Sequence, residues 1–129
     1  MARVWGYELD SLGGVLVRFH HVGLEVGNFE ESVEYYKQLF NLEVEDQFSF
    51  LGEEVVFLAT GDFRLELVSN THESKETHIC FEVENLQNVM KQFRYGRKIE
   101  GPFKLENGWE TVFYEGPNQE IIEFLQIHK

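Results

Sequence analysis

Displacing the chain along itself by 57 residues, the distance from His21 to His78, lays His21-Val22-Gly23-Leu24-Glu25-Val26-Gly27-Asn28-Phe29 on His78-Ile79-Cys80-Phe81-Glu82-Val83-Glu84-Asn85-Leu86. The two histidines coincide, as do Glu25 and Glu82, Val26 and Val83, and Asn28 and Asn85. Without a gap, the same displacement carries Leu65-Glu66-Leu67-Val68 onto Ile122-Glu123-Phe124-Leu125. Two matches in one register, so far apart, require two copies of one supersecondary unit. The modules span about 17–70 and 77–129 and are joined by the polar stretch from Asn70 to Glu76. Residues 1–129 are read as a single domain, with 1–16 as an N-terminal arm that carries Trp5 and Tyr7.

Within each module the apolar periodicity changes from two to about 3.6 and back, which predicts a strand, a helix and then three strands. Residues 17–26 are rich in β-branched and aromatic side chains and read as a strand; Asn28 then offers an N-cap, followed by Glu30 and Glu31 in the first turn. Phe29, Val33, Tyr36 and Phe40 form one helical stripe. In the second module the strand is 78–83 and the cap Asn85; the stripe is Leu86, Val89, Met90 and Phe93, with Arg94, Arg97 and Lys98 at a helix C-terminus that favours cations. Further strands are expected at 44–50, 54–59, 63–68, 103–105, 111–114 and 120–127, with turns at Gly61-Asp62 and Gly116-Pro117-Asn118. Each module is thus βαβββ, and the fold class is α+β: two tandem modules pairing into a curved sheet around a concave site.

Composition narrows the partners. The chain is 43% hydrophobic and 15% aromatic, enough for a core, and its net charge of −12 repels phosphate backbones and anionic membrane surfaces. Nucleic acid and membrane are therefore excluded as expected partners, and a small molecule is the expected one. The single cysteine, Cys80, cannot form an internal disulfide and reads as a small buried thiol. The first residues lack a basic region followed by an apolar one, so the expected location is the cytoplasm.

Strand parity places the polar side chains. In a strand, side chains alternate between faces, so Val22, Leu24 and Val26 point toward the helix while His21 shares the opposite face with Gly23 and Glu25. Glu66 is likewise opposed to Leu65 and Leu67, His78 to Ile79 and Phe81, and Glu123 to Ile122 and Phe124. Each module offers one His and one Glu on its non-helix face. If the modules pair about a pseudo-twofold axis, two imidazoles and two carboxylates meet, a donor set suited to one divalent ion among zinc, nickel, cobalt, iron and manganese. His20, His72 and His128 fall outside this set and read as surface or structural.

These strand openings and closing strands resemble the vicinal oxygen chelate superfamily, which includes glyoxalase I, methylmalonyl-CoA epimerase, fosfomycin-resistance thiol transferases, extradiol dioxygenases and bleomycin-binding proteins. The resemblance covers nearly all of 17–127, and the segment from Phe113 to Phe124 looks like the last hairpin, with Glu115-Gly116-Pro117-Asn118 in place of the usual Asp-Pro-Asp-Gly turn. The order His21, Glu66, His78, Glu123 is similar to the glyoxalase I metal set of bacterial type. It implies a metal-dependent lyase or isomerase acting on a hemithioacetal or α-oxo compound through an enediolate, with Glu123 as the first choice of proton shuttle and Glu66 as the second. The epimerase usually has Gln where Glu66 stands, and the dioxygenases and thiol transferases use two His and one Glu. The resemblance also implies substrate contacts for Asn70, four residues after Glu66, while Arg64 shares the Glu66 face and suits an anionic substrate. Where glyoxalase I carries an Arg that binds a glutathione carboxylate, this chain has Glu25, whose charge has the opposite sign, so a different thiol, or a substrate without one, is expected. The alternatives are a small-molecule binding or resistance protein of the same fold without turnover, an epimerase or a thiol transferase. A homodimer is the expected assembly, and the linker permits a site within one chain or across two.

Overall fold

The computed structural model describes residues 8–12, 15–93 and 97–128. Its elements run β1 (Glu8–Leu12), β2 (Val15–Val26), α1 (Phe29–Phe40), β3 (Glu43–Phe50), β4 (Glu53–Thr60), β5 (Phe63–Ser69), β6 (Thr77–Val83), α2 (Leu86–Gln92), β7 (Arg97–Lys104), β8 (Glu110–Glu115) and β9 (Ile121–Gln126). After β1 this is βαβββ twice, and the fold is α+β as the repeat predicts. No helix among the described residues is long and apolar enough to cross a membrane.

Two compact units share strand β2. One is His21–His78; the other comprises the chain up to His20 and from Ile79 onward. In the first, the strand order is β3-β4-β5-β2, with β2 parallel to β5 and antiparallel hairpins β3-β4 and β4-β5. In the second, the order is β2-β6-β9-β8-β7, and β1 adds to β2 antiparallel.

The core of the His21–His78 unit contains Leu42, Val56, Leu58, Leu65 and Leu67, against which Val22, Leu24 and Val26 of β2 and Phe29, Val33 and Tyr36 of α1 pack. Even positions of β2 therefore face α1 here, as parity requires, and His21, Gly23 and Glu25 face away. Helix α1 starts after Asn28, whose side-chain amide donates to Glu31 Oε2 at 2.8 Å instead of capping a backbone N–H. It stops at Asn41 in the left-handed region (φ 54°), a conformation Asn tolerates at a helix end. Phe40 departs from the predicted stripe: at the last helical position it is exposed and lies against Tyr36 and Phe63.

The other unit buries Val17, Val83, Leu86, Val89, Val112, Tyr114 and Phe124, with Phe81, Met90, Phe93 and Ile122 around them. Asn85 caps α2 by accepting from Asn88 N at 2.9 Å, and Gln126 Oε1 accepts from Leu86 N at 2.8 Å. One expectation is corrected here. Helix α2 ends at Gln92, and Arg97 and Lys98 begin strand β7 instead of completing a helix terminus; Arg97 faces Glu115 of β8 at 3.6 Å. Arg94 lies outside the described residues. Val17 of β2 also belongs to this core. His20, read as surface or structural, is buried, only 2% exposed, with its ring edge-on to Trp109. Cys80 is fully buried, as expected of a packing thiol.

Candidate metal centre

Within the His21–His78 unit, three of the predicted ligands meet. His21 stands on β2, and two residues along the same face Gly23 is paired in parallel register with Glu66 of β5. Glu66 is in turn opposite Phe57 of β4, whose buried ring lies edge-on to the His21 imidazole at 5.0 Å between centroids. His78, in the second residue of β6, brings its ring over Gly23: a Cβ added at Gly23 would overlap Cε1, Nε2 and Nδ1 of that imidazole. Only hydrogen in place of a side chain leaves room for the ring, which is the common reason for a glycine inside a strand.

The geometry is tight. Glu66 Oε1 lies 3.3 Å from His21 Nε2 and 3.0 Å from His78 Nε2, and the two nitrogens are 3.2 Å apart. His21 is 1% exposed, and the Glu66 and His78 side chains are each 12% exposed. These distances test whether a metal fits. Donor atoms about 2.1 Å from a common ion are separated by roughly 3.0 Å along octahedral edges and about 3.4 Å along tetrahedral ones, and all three measured edges fall in or at that interval. Protons satisfy the triangle less well, because a hydrogen between any two of these atoms serves one edge and leaves the others as close polar contacts. A divalent cation at their common point would serve all three, and the chemistry of the set, two imidazoles and a carboxylate, suits the borderline metals.

Glu123 is placed in the other unit, on β9, at 6% exposure. Its Oε2 accepts from the hydroxyl of Thr111 on β8 at 2.5 Å. The two residues matched to a substrate role have partners of their own. Arg64 donates through Nε to Glu45 Oε1 on β3 at 2.7 Å. Asn70 donates to Glu25 Oε1 at 2.7 Å and to the Ser74 carbonyl at 3.3 Å, while its Oδ1 accepts from His72 N at 2.8 Å. Glu25 Oε1 also accepts from Glu76 N at 2.8 Å. The carboxylate that stands where the resemblance places an Arg is therefore the post on which the stretch between β5 and β6 is hung. Its repeat mate Glu82, 5% exposed, accepts from Arg18 Nε and Nη2 at 3.0 and 2.8 Å. Periodicity reads Gly23 only as a strand position, although a glycine in a β-branched run signals close approach. Arg18 and Thr111 carry no local signal at all, since their partners are 64 and 12 residues away.

The comparisons agree with this architecture. The solved structures similar to the chain include a hypothetical protein from Bacillus halodurans, 16% identical over 88% of this chain and 96% of that one, with a TM-score of 0.74. Methylmalonyl-CoA epimerase from Mycobacterium tuberculosis is 14% identical, covers 87% and 89%, and has a TM-score of 0.72. A Streptomyces coelicolor methylmalonyl-CoA epimerase variant in complex with 2-nitronate-propionyl-CoA is 18% identical, covers 87% and 98%, and has a TM-score of 0.73. At these identities the likeness is one of fold. A search of curated proteins finds no match. The profile of the Glyoxalase/Bleomycin resistance protein/Dioxygenase superfamily matches residues 18–124, a span that covers most of both modules and every residue of the predicted metal set. With the doubled βαβββ plan and the His21–Glu66–His78 triangle already in place, that match closes the question of kinship: the chain belongs to the Glyoxalase/Bleomycin resistance protein/Dioxygenase superfamily.

Proposed function

We propose that the protein is a divalent-metal-dependent lyase or isomerase of the glyoxalase I type. Its substrate is a small hemithioacetal or α-oxo compound, from which it takes a proton at one carbon and returns it at the neighbour. The observation that carries this reading is the triangle of His21 Nε2, Glu66 Oε1 and His78 Nε2, with edges of 3.0 to 3.3 Å. These three residues would hold the ion, and Glu123, the repeat mate of Glu66, is assigned as the fourth ligand. Zinc, nickel, cobalt, manganese and iron all accept such a set. When bound, the ion supplies Lewis-acid stabilisation of the negative charge that develops on oxygen as a carbon-bound proton leaves.

The protein's own residues divide the remaining work. Glu66 is held between two imidazoles and serves mainly to bind and orient. Glu123 is assigned as the base that accepts the substrate proton and gives it back, with Glu66 as the second candidate. A nearly buried carboxylate is suited to this, since little water competes with substrate for its oxygens. Cytoplasmic placement and a homodimer complete the reading; the first is supported by a single cysteine that can form no disulfide within the chain.

A second reading, a metal-dependent epimerase, is favoured by the methylmalonyl-CoA epimerases among the similar structures. It uses the same proton abstraction but delivers a proton to the opposite face of the same carbon, so that its configuration inverts. The deciding experiment is elemental analysis of the purified protein, followed by assays in deuterated water. One arm uses hemithioacetals of methylglyoxal with several thiols, the other a CoA thioester with an epimerisable α-carbon. A stoichiometric metal with isomerised product supports the lyase reading, and α-deuterium with inverted configuration supports the epimerase. Ligand binding that persists without metal and without turnover replaces both by a binding protein.

A further inference from the structure

The two modules are built alike around their glutamates except at one position. In the first, Glu66 is opposite Phe57 and, two residues on, Val68 is opposite Val55. In the second, Glu123 is opposite Phe113 and Leu125 is opposite Thr111. Thr111 therefore occupies the place that Val55 holds in the first module, and valine and threonine have nearly the same shape. The exchange replaces one methyl group by a hydroxyl.

That hydroxyl has one hydrogen and two acceptors beside it, the carboxylate being the nearer. Thr111 is 1% exposed, and its Oγ1 lies 2.5 Å from Glu123 Oε2 and 3.1 Å from the carbonyl oxygen of Phe124. A separation of 2.5 Å is at the short end for an O–H to carboxylate bond, the charge-assisted kind. The register neighbours of Glu123 on this face, Phe113 opposite and Ile121 and Leu125 along the strand, are apolar. A carboxylate in such surroundings needs a specific donor to hold its charge and orientation. Glu66 has no threonine at the matching position and is held instead by the two imidazoles.

We infer that Thr111 is a positioning residue for Glu123: its hydroxyl fixes Oε2, so that Oε1 is the oxygen presented to metal and substrate. This rests on the metal reading given above. It also accounts for two like glutamates taking different roles, one bound between histidines and one aimed by a hydroxyl. The neighbour that orients a metal ligand typically contributes 10- to 100-fold to metal affinity.

The test is titration of the whole, metal-free protein with Co(II), read by its visible absorption, for the parent and for Thr111→Val, Thr111→Ser and Glu123→Gln, with circular dichroism as the check on folding. Thr111→Val should weaken Co(II) binding about 10- to 100-fold and alter the absorption envelope, while Thr111→Ser, which keeps the hydroxyl, should bind like the parent. In the Glu123→Gln background, Thr111→Val should cost little more. Should Thr111→Val fail to fold, Thr111→Ala against Thr111→Ser gives the same comparison. Parent-like affinity and spectrum in Thr111→Val, equal weakening in Thr111→Ser, or full additivity with Glu123→Gln would each overturn the assignment while leaving the metal reading intact. A parent that takes up no Co(II) overturns the metal reading itself, and this assignment with it.

Discussion

The imidazole of His78 rests on Gly23, in the space that a Cβ at that position would occupy. The pair ties the first residues of β6 to the middle of β2, and through the parallel register it sets His78 beside Glu66. The atom in the way is the movable end of a side chain, not backbone, so Gly23→Ala should fold and displace the ring. Affinity for Zn(II) or Co(II) is expected to fall at least tenfold, on the scale typical of perturbed ligand orientation, with far-ultraviolet circular dichroism unchanged. Parent-like affinity would show that His78 need not lie where it does.

Removing ligands one at a time should separate the triangle from the other histidines. His21→Ala and His78→Ala each delete one of two neutral nitrogen donors, and metal content by elemental analysis should drop sharply in both. His72, exposed in the linker, should be silent. His21→Ala should in addition destabilise the protein by about 2 kcal/mol or more, since it empties a buried site against Phe57. Equal metal content in all three variants would dismiss the site.

The two carboxylates should differ in kinetics. Glu123→Gln is expected to lower turnover by roughly 10²- to 10⁴-fold, the usual loss of a general base, with metal retained more weakly. Glu66→Gln should act chiefly on metal affinity. Initial rates and metal stoichiometry measured on the same preparations check this, and the reverse pattern would exchange the two roles.

Glu25, which stands where the resemblance places an Arg, also has a structural task through its hydrogen bonds. Oε1 accepts from Asn70 and from the Glu76 backbone, so Glu25→Arg should loosen the segment between β5 and β6 and destabilise by about 2 kcal/mol, within the range for hydrogen bonds to charged groups. It should not create a glutathione site. Hydrogen exchange at residues 70–77 reports the first effect and assay with the glutathione hemithioacetal the second; improved turnover with unchanged exchange would contradict both.

Tyr114 provides a pH handle away from the metal. Burial pushes its phenol pKa above the usual value of 10.0. A pKa raised in the folded state means that the folded protein holds the proton more tightly, so the associated stability is complete below about pH 10 and is lost as pH rises through the folded-state value. Unfolding free energies between pH 8 and 12 should fall more gently in Tyr114→Phe than in the parent. Parallel curves would refute the link.

Local pattern determined a great deal of this protein. The 57-residue repeat and strand parity suffice for the βαβββ plan, for most element bounds within a residue or two, and for putting His21, Glu66 and His78 opposite their helix-facing neighbours, because alternation is a property of the strand itself. Tertiary structure decided what alternation cannot. Strand β1 has weak apolar alternation of its own and is read from its pairing with β2. The cluster at Arg97 and Lys98 entered a strand because β8 offered a ladder that a seven-residue helix could not outlast. Which cross-strand atom each polar group meets, Thr111 for Glu123, Asn70 for Glu25, Arg18 for Glu82, depends on register between segments 12 to 64 residues apart. Registers of that kind are set by the packing of whole sheets, and no window of sequence holds both partners.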